Sequence, residues 1–399
     1  MSADILAKLN LRHVINASGT MTGLGASIVG QQSIQSIADI LGNFVEIDDL
    51  QRRASKTIAE LTGAECGFIT ASCSAGITLS IAALITGNDL GAIEQLPNHV
   101  GPKSDVIMQM GHMVNYGAPV DQAVRLSGAR RVVPIGQATS ASAFHLASAM
   151  NENTLAALYV VSHHTVEYGQ IPFKTFAAVA HEHGVPVIVD AASEYDLTGF
   201  IRDGADIVLY SGHKFLGGPT SGIVAGRKDI VRNIYLQNRG IGRGMKVGKE
   251  GIAGAIAALE AWKTRDHAAI RDREKRALDL WHATLNGRPG VSVRITPDPT
   301  HNPLDRLRID IDSVAAHITA WDLVDRLAKG AQPIVARDHE VEHGYFFLDP
   351  CNLQPDQEQI VAARLAEELD IAQKSNDLIA TPFEQRTLNK ERAILNWPD

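Results

Sequence analysis

One stretch near the middle of the chain, Ala205-Asp206-Ile207-Val208-Leu209-Tyr210-Ser211-Gly212-His213-Lys214-Phe215-Leu216-Gly217-Gly218-Pro219, delivers a hydroxyl, an imidazole and a single amine from an apolar run into a glycine-rich turn. Glycines let the backbone approach a bound group closely, and an amine held there is placed to act as a nucleophile. Upstream, Val185-Pro186-Val187-Ile188-Val189-Asp190 puts an acid at the carboxyl end of an apolar run. Ligands of open α/β sheets bind at such strand ends.

A lysine that can form an imine and an acid that faces a pyridine nitrogen are the two groups that pyridoxal phosphate requires of its protein. The acid keeps the ring nitrogen protonated, so that the ring accepts electrons from a substrate carbanion. The third requirement is a phosphate cradle, which a helix N-terminus supplies through free N–H groups and its dipole. Thr70-Ala71-Ser72-Cys73-Ser74-Ala75-Gly76 opens a helix with small and hydroxyl side chains, although Ser and Thr also cap ordinary helices.

The elements that must position these groups alternate in the rhythm of a mainly parallel α/β sheet. Strands are predicted at 67–71, 105–108, 131–135, 155–161, 185–190, 207–210 and 222–225. Helices are predicted at 56–62, 75–85, 175–183 and 251–262, the last continuing through the charged stretch 263–276. A smaller α+β domain follows, with strands at 291–295, 307–311, 333–337 and 345–348 and helices at 320–328 and 356–372. The expected organisation is an N-terminal arm over 1–50 that packs on something else, a large α/β domain over 51–265, the small domain over 266–374, and a tail over 375–399 with few apolar positions and a poor period.

The 399 residues are 45% hydrophobic and 21% charged, which excludes a disordered tail and a disulfide miniprotein. A net charge of −8 promises no general attraction to a phosphate backbone, so no nucleic-acid partner is expected. Cys66, Cys73 and Cys351 form no CxxC pair, and neither a disulfide framework nor a thiolate metal site is expected. No run approaches a membrane span and the first twenty residues lack a secretory pattern. A cytoplasmic protein with no membrane contact is the expectation.

Several segments in one order resemble the fold-type I pyridoxal phosphate enzymes, in the selenocysteine synthase-like branch that includes L-seryl-tRNA(Sec) selenium transferase and D-glucosaminate-6-phosphate ammonia lyase. They are Val14-Ile15-Asn16-Ala17-Ser18-Gly19-Thr20, Val187-Ile188-Val189-Asp190-Ala191-Ala192-Ser193-Glu194, Tyr210-Ser211-Gly212-His213-Lys214, Arg243-Gly244-Met245-Lys246-Val247-Gly248-Lys249 and Pro333-Ile334-Val335-Ala336-Arg337. The resemblance spans about Leu11 to Asp349. It implies an aspartate aminotransferase-like large domain, Lys214 joined covalently to pyridoxal 5'-phosphate, and Asp190 on the pyridinium. Ser211 and His213 would contact the phosphate, and Cys73 and Ser74 occupy the phosphate loop, where backbone N–H groups are an alternative. His112, in Gly111-His112-Met113-Val114-Asn115-Tyr116-Gly117, would stack on the ring, against the alternative of a hydrogen-bonded packing histidine. His163, in Ser162-His163-His164, would touch cofactor or substrate. Arg337 resembles the arginine that captures a substrate α-carboxylate through its bidentate fork; the alternative is a surface ion pair with Asp338 or Glu340. Asn16 and Arg243 are further substrate contacts, and Lys246 and Lys249 join Arg243 in a segment that this fold extends across a dimer, where the three would serve a phosphate of the cofactor or of a substrate. A homodimer or higher even oligomer is implied.

Rival readings fit less well. Ser211-Gly212-His213-Lys214 spells Ser-x-x-Lys, but the companion Ser-Asp-Asn and Lys-Thr-Gly motifs are missing. His181-Glu182-His183 offers only i,i+2 neighbours on a helix, and Gly240-Ile241-Gly242-Arg243-Gly244 lacks the strand and spacing of a dinucleotide site. Pyridoxal phosphate supports elimination, transamination, racemisation, aldol cleavage and selenium transfer alike, and a relative that binds it without turnover is a further alternative. Selenium transfer to tRNA is disfavoured by the acidic charge and by the arrival of Asn16 almost at once. Asp190-Ala191-Ala192-Ser193-Glu194 with Asp196-Leu197 resembles the ammonia lyase branch. The expected reaction is therefore α,β-elimination from a β-hydroxy-α-amino acid, with Lys214 removing the α-proton and Glu194 or His213 protonating the departing hydroxyl.

Overall fold

A computed structural model describes residues 5–398; residues 1–4 of the expected arm and residue 399 of the expected tail lie outside them. The chain forms two compact units, one of residues 27–265 and one that joins the described residues up to Ala26 to those from Asp266 onward.

The larger unit is built on seven strands, β1 (Cys66–Thr70), β2 (Asp105–Gln109), β3 (Arg131–Ile135), β4 (Thr154–Val160), β5 (Val187–Asp190), β6 (Ile207–Ser211) and β7 (Gly222–Gly226). Their order across the sheet is β1-β7-β6-β5-β4-β2-β3. All neighbours are parallel except β7, which runs against both β1 and β6. Strands buried on both faces need continuous apolar runs, and β5 and β6 supply them. Val208 and Tyr210 of β6 enter one apolar layer with Ile58, Phe176 and Leu259, while Ile207 and Leu209 enter the other with Ile77, Ile81 and Ile234.

Residues 27–50, expected in the arm, belong to this unit. Helix Gln31–Leu41 packs on helix Lys249–Thr264 so closely that a Cβ at Gly254 would lie 2.8 Å from Ile37 Cδ1, and the Ser33 hydroxyl donates to the Gly254 carbonyl at 3.0 Å. The helix predicted to run on through 263–276 is interrupted. Arg265 is extended, and the Asp266 side chain accepts the Ala269 N–H at 2.9 Å to open a new helix, His267–Leu285.

The smaller unit is α+β. Its antiparallel sheet has the order Tyr345–Leu348, Asp305–Ile311, Val291–Pro297, and a separate parallel pair joins Ile15–Ala17 to Ile334–Ala336. Trp281, Leu307, Phe346 and Leu365 lie in its core. The expected tail contains a helix, Phe383–Leu395, tied down at Arg386. That guanidinium bonds Asp325 at 2.8–3.0 Å and Asp338 at 2.6 Å. Ionic anchoring leaves Leu388, Ile394 and Leu395 exposed, which is why no apolar period marks the segment.

Candidate active site

The turn that carries Lys214 is held from several sides. A Cβ at Gly212 would fall 2.1 Å from Ser221 Oγ, so any larger residue where β6 leaves the sheet would turn that hydroxyl away from the Pro219 carbonyl to which it donates. The Gly212 N–H donates to the Ser221 carbonyl at 2.9 Å and the Gly218 N–H to the Gly212 carbonyl at 2.7 Å. The Ser27 hydroxyl lies 2.7 and 2.8 Å from the carbonyls of His213 and Lys214. Arg265 donates to the carbonyls of Phe215 and Leu216 at 2.5 and 2.6 Å. The carbonyls on both sides of the lysine are thus fixed, which limits the arc through which its amine can move.

Asp190 ends β5, 5% exposed. Burial pushes its carboxyl up to about 6, against the pull of the Lys214 charge and of the Ala192 N–H, which donates to Oδ1 at 3.2 Å. Oδ2 accepts no hydrogen bond among the described residues. A buried carboxylate with one neutral donor is short of a cation, and Lys214 is the basic group that acts on it.

The helix after β1 begins at Cys73, two residues before the expected start, with Ser72 Oγ accepting the Ala75 N–H at 3.1 Å. A Cβ at Gly222 would stand 2.3 Å from the Ser72 carbonyl, so β7 can pass close behind this loop. The Ser211 hydroxyl donates to Cys73 Sγ at 3.2 Å. Burial first, then the nearby Asp190 charge, pushes the Cys73 thiol up to about 12. Cys73 therefore contributes as a neutral group, and its contact joins the helix N-terminus to the end of β6.

Two buried polar atoms near this corner lack hydrogen bonds, His213 Nδ1 and Tyr116 Oη. Burial and the Lys214 charge hold the His213 ring below its ordinary range, opposed by a backbone bond at Ser221. Tyr116 lies beside Ser74, where burial followed by Asp190 raises its phenol. Sequence reasoning misses it, since only its place in the Gly111–Gly117 segment points to it. Ser27 and Arg265 are missed as well, because they act through carbonyls remote in sequence. An amine, an acid seeking a cation, unsatisfied imidazole and phenol atoms and a helix N-terminus are the donor set that an aldehyde bearing a basic ring nitrogen and a phosphate requires. These residues fit pyridoxal phosphate.

The remaining expected residues divide. His112 is buried, accepts the Val160 N–H on Nδ1 at 3.2 Å, and has Gln109 Nε2 3.3 Å from Nε2. Its ring meets Tyr159 edge-on with centroids 4.5 Å apart, and burial lowers its pKa to about 4. It is a hydrogen-bonded, neutral packing histidine at the end of β4, and only a ring face remains to meet a ligand. His163 lies just past β4, half-buried, and Glu194 is buried in the turn after β5. Arg243 is exposed on the 3₁₀ turn Ile241–Met245, beside a cavity shared with Leu90, Glu94, Asn238 and Arg239. Lys249 donates to the Leu41 carbonyl at 3.0 Å and to that of Asn43, closing the C-terminal end of helix Gln31–Leu41, so a phosphate is not needed to account for it.

In the smaller unit, both ends of the Asn16 amide shape its own turn: Oδ1 accepts the Ser18 N–H at 3.0 Å and Nδ2 donates to the Gly19 carbonyl at 2.8 Å. Arg337 is half-buried and its guanidinium makes no hydrogen bond or ion pair among the described residues. Burial first, then the neighbouring Arg306 charge, lowers its pKa to about 10. Its sequence neighbour Asp338 bonds Arg386 and Lys390 instead, so the surface pair with Asp338 does not form.

Residues 14–278 match the family model described as L-seryl-tRNA selenium transferase. The chain is 38% identical to a D-glucosaminate-6-phosphate ammonia lyase of Salmonella typhimurium over 92% of its own length and 98% of that protein. It is 34% identical to a 5'-C-glycyluridine monooxygenase-decarboxylase of a Streptomyces species over 89% of each. A solved structure of a D-glucosaminate-6-phosphate ammonia-lyase superposes with a TM-score of 0.82 at 36% identity, covering 94% of this chain and 100% of that one.

Proposed function

The chain belongs to the L-seryl-tRNA selenium transferase family of fold-type I enzymes, whose cofactor is pyridoxal 5'-phosphate, and from that premise we propose that it is an ammonia lyase. The reaction is α,β-elimination from a β-hydroxy-α-amino acid, a sugar amino acid such as D-glucosaminate or its 6-phosphate, to a 2-oxo acid and ammonia. The observation that carries the reading is the buried acid Asp190 at a strand end, answered by one lysine in a rigid turn.

When bound, the cofactor supplies an electron sink for charge developing on the substrate α-carbon. Lys214 tethers it, Asp190 holds the proton on its ring nitrogen, and the helix N-terminus at Ser72–Ser74 with Ser211 and His213 receives its phosphate. With substrate bound, the Lys214 amine would be the base that takes the α-proton. Glu194 or His213 gives a proton to the β-hydroxyl, which leaves as water, and the unsaturated amine left behind hydrolyses to 2-oxo acid and ammonia. Arg337 takes the α-carboxylate, and its lack of any internal partner supports that role. Arg243 and Arg239 line one cavity, and their charges suit an anionic group of the substrate. His112 and His163 line the cofactor's side, and Asn16 shapes the arm rather than holding substrate directly. We further propose a cytoplasmic homodimer. Exposed Ile34, Leu41, Phe44 and Ile47 offer an apolar surface for a second copy, and no helix of the described residues is long and apolar enough to cross a membrane.

The 34% relative is named for oxidation and decarboxylation, so the test must separate the two chemistries. Purified protein loaded with cofactor should release ammonia and 2-oxo acid in equal amounts from hydroxy amino acids, without an amino acceptor and without oxygen. The Lys214→Ala variant should release none and should lose the visible absorbance of tethered cofactor. A 2-oxo acid that forms only with a 2-oxo acceptor and without ammonia, or ammonia that appears only with oxygen, would overturn the lyase reading.

A further inference from the structure

The smaller unit buries a cluster of opposite charges beside Arg337. Arg306 is 4% exposed and bridges two carboxylates, Asp349 at 2.9 Å through Nε and Asp298 at 2.5 Å through an Nη. Both acids are almost wholly buried, and their other oxygens are also occupied. Asp349 Oδ1 accepts the Cys351 N–H at 3.0 Å. Asp298 Oδ2 accepts from Thr300 Oγ1 at 2.8 Å and from the Asn302 backbone and side chain at 3.2 and 3.1 Å. Of the remaining acids near Arg337, Asp338 is engaged by Arg386 and Lys390 and Glu340 is exposed to solvent.

We propose that Arg306 is a positioning residue whose task is to occupy Asp349 and Asp298, leaving the Arg337 guanidinium free to bind the carboxylate of an incoming substrate. A buried carboxylate stripped of its cation recruits the nearest one available; the Arg337 backbone exchanges both its hydrogen bonds, each 2.9 Å, with Phe347, two residues before Asp349, and the charges of Asp349, Asp298 and Arg306 all act on its guanidinium. With Arg306 present each buried acid is neutralised without it. With Arg306 removed, Asp349 claims Arg337 and the substrate competes with an internal anion. Gly19 belongs to the same arrangement: a Cβ there would lie 2.7 Å from Asp349 Oδ2, so glycine lets the acid sit where Arg306 can reach it. The proposal rests on the reading of Arg337 as the carboxylate-binding residue.

The test uses loaded holoenzyme and measures binding, not ammonia, so it reports on Arg306 whatever reaction the enzyme performs. The absorbance of bound cofactor is titrated with a hydroxy amino acid and with the matching carboxamide. Arg306→Met should weaken binding of the acid roughly tenfold or more, the scale of losing one charge-assisted pair, and leave the amide nearly unchanged, so that the preference for the acid collapses. Arg306→Lys, which keeps a charge but reaches one carboxylate, should show a smaller loss. The triple variant Arg306→Met, Asp298→Asn, Asp349→Asn removes both competing anions and should recover most of the preference. A purely structural role predicts the reverse, a triple variant no better than the single one and equal losses for acid and amide. Either of those results overturns the proposal, as does an Arg306→Met enzyme that keeps its preference while Arg337→Met loses it.

Discussion

Replacing Asp190 with Asn should make the cofactor-free protein more stable at neutral pH. The folded protein raises the Asp190 carboxyl from 3.8 to about 6. Each tenfold gain in proton affinity corresponds to about 1.4 kcal/mol, so the ionised side chain costs the empty fold about 3 kcal/mol. The acid binds its proton more tightly folded than unfolded. Stability from this group is therefore full below pH 4, falls as pH rises towards 6, and stays low above. Asn keeps an oxygen for the Ala192 N–H and has no charge to bury. Urea unfolding of the two cofactor-free proteins should give equal stabilities near pH 4 and an advantage of about 3 kcal/mol for the Asn variant at pH 8. Loading the cofactor should reverse the order, because a protonated ring nitrogen gives the carboxylate its missing cation. Other titrating groups are common to both proteins and cancel in the difference. A difference that does not change with pH, or an Asn variant less stable than the parent at pH 8 without cofactor, would refute the claim that Asp190 is held ready for a cation.

Arg386→Met should cost about 2 kcal/mol, between the values for exposed and buried ion pairs, read as a lower urea midpoint together with earlier protease cleavage near the C-terminal helix. Gly254→Val should cost about 1–3 kcal/mol through overpacking against Ile37 and Pro219, measurable by thermal unfolding. A thiol reagent at pH 8 should label Cys66 and the partly exposed Cys351 slowly and leave the buried Cys73 untouched until the protein is unfolded, because burial raises all three thiols; rapid native labelling of Cys73 would contradict its contact with Ser211.

The features legible in the sequence are those written locally. The apolar run ending in Asp190, the glycines around Lys214 and the small residues opening the helix after β1 each state their backbone geometry within a few positions. Lys249, Asn16 and His112 look in sequence like free polar groups beside a ligand. Their partners, Leu41 with Asn43, the turn at Ser18–Gly19, and Val160, become visible only once the chain is folded. The helix around Arg386 reads as a tail because two carboxylates remote in sequence hold it, and ionic anchors leave no periodic trace. Helix Gln31–Leu41 escapes notice for a related reason: Ser33 is its one buried residue, and its contact depends on the absence of a side chain at Gly254.

The pairing of Ile15–Ala17 with Ile334–Ala336 sets an order of assembly at the ribosome. The two partners are roughly 320 residues apart, so at about 5–20 residues per second the early segment waits between a quarter of a minute and a minute for its neighbour to be made. Lys214, Asp190 and the Ser72 loop all lie within residues 27–265 and emerge well before that. The strand end at Asp190 and the turn at Lys214 are therefore complete in sequence while the first residues of the chain are still waiting for their strand partner.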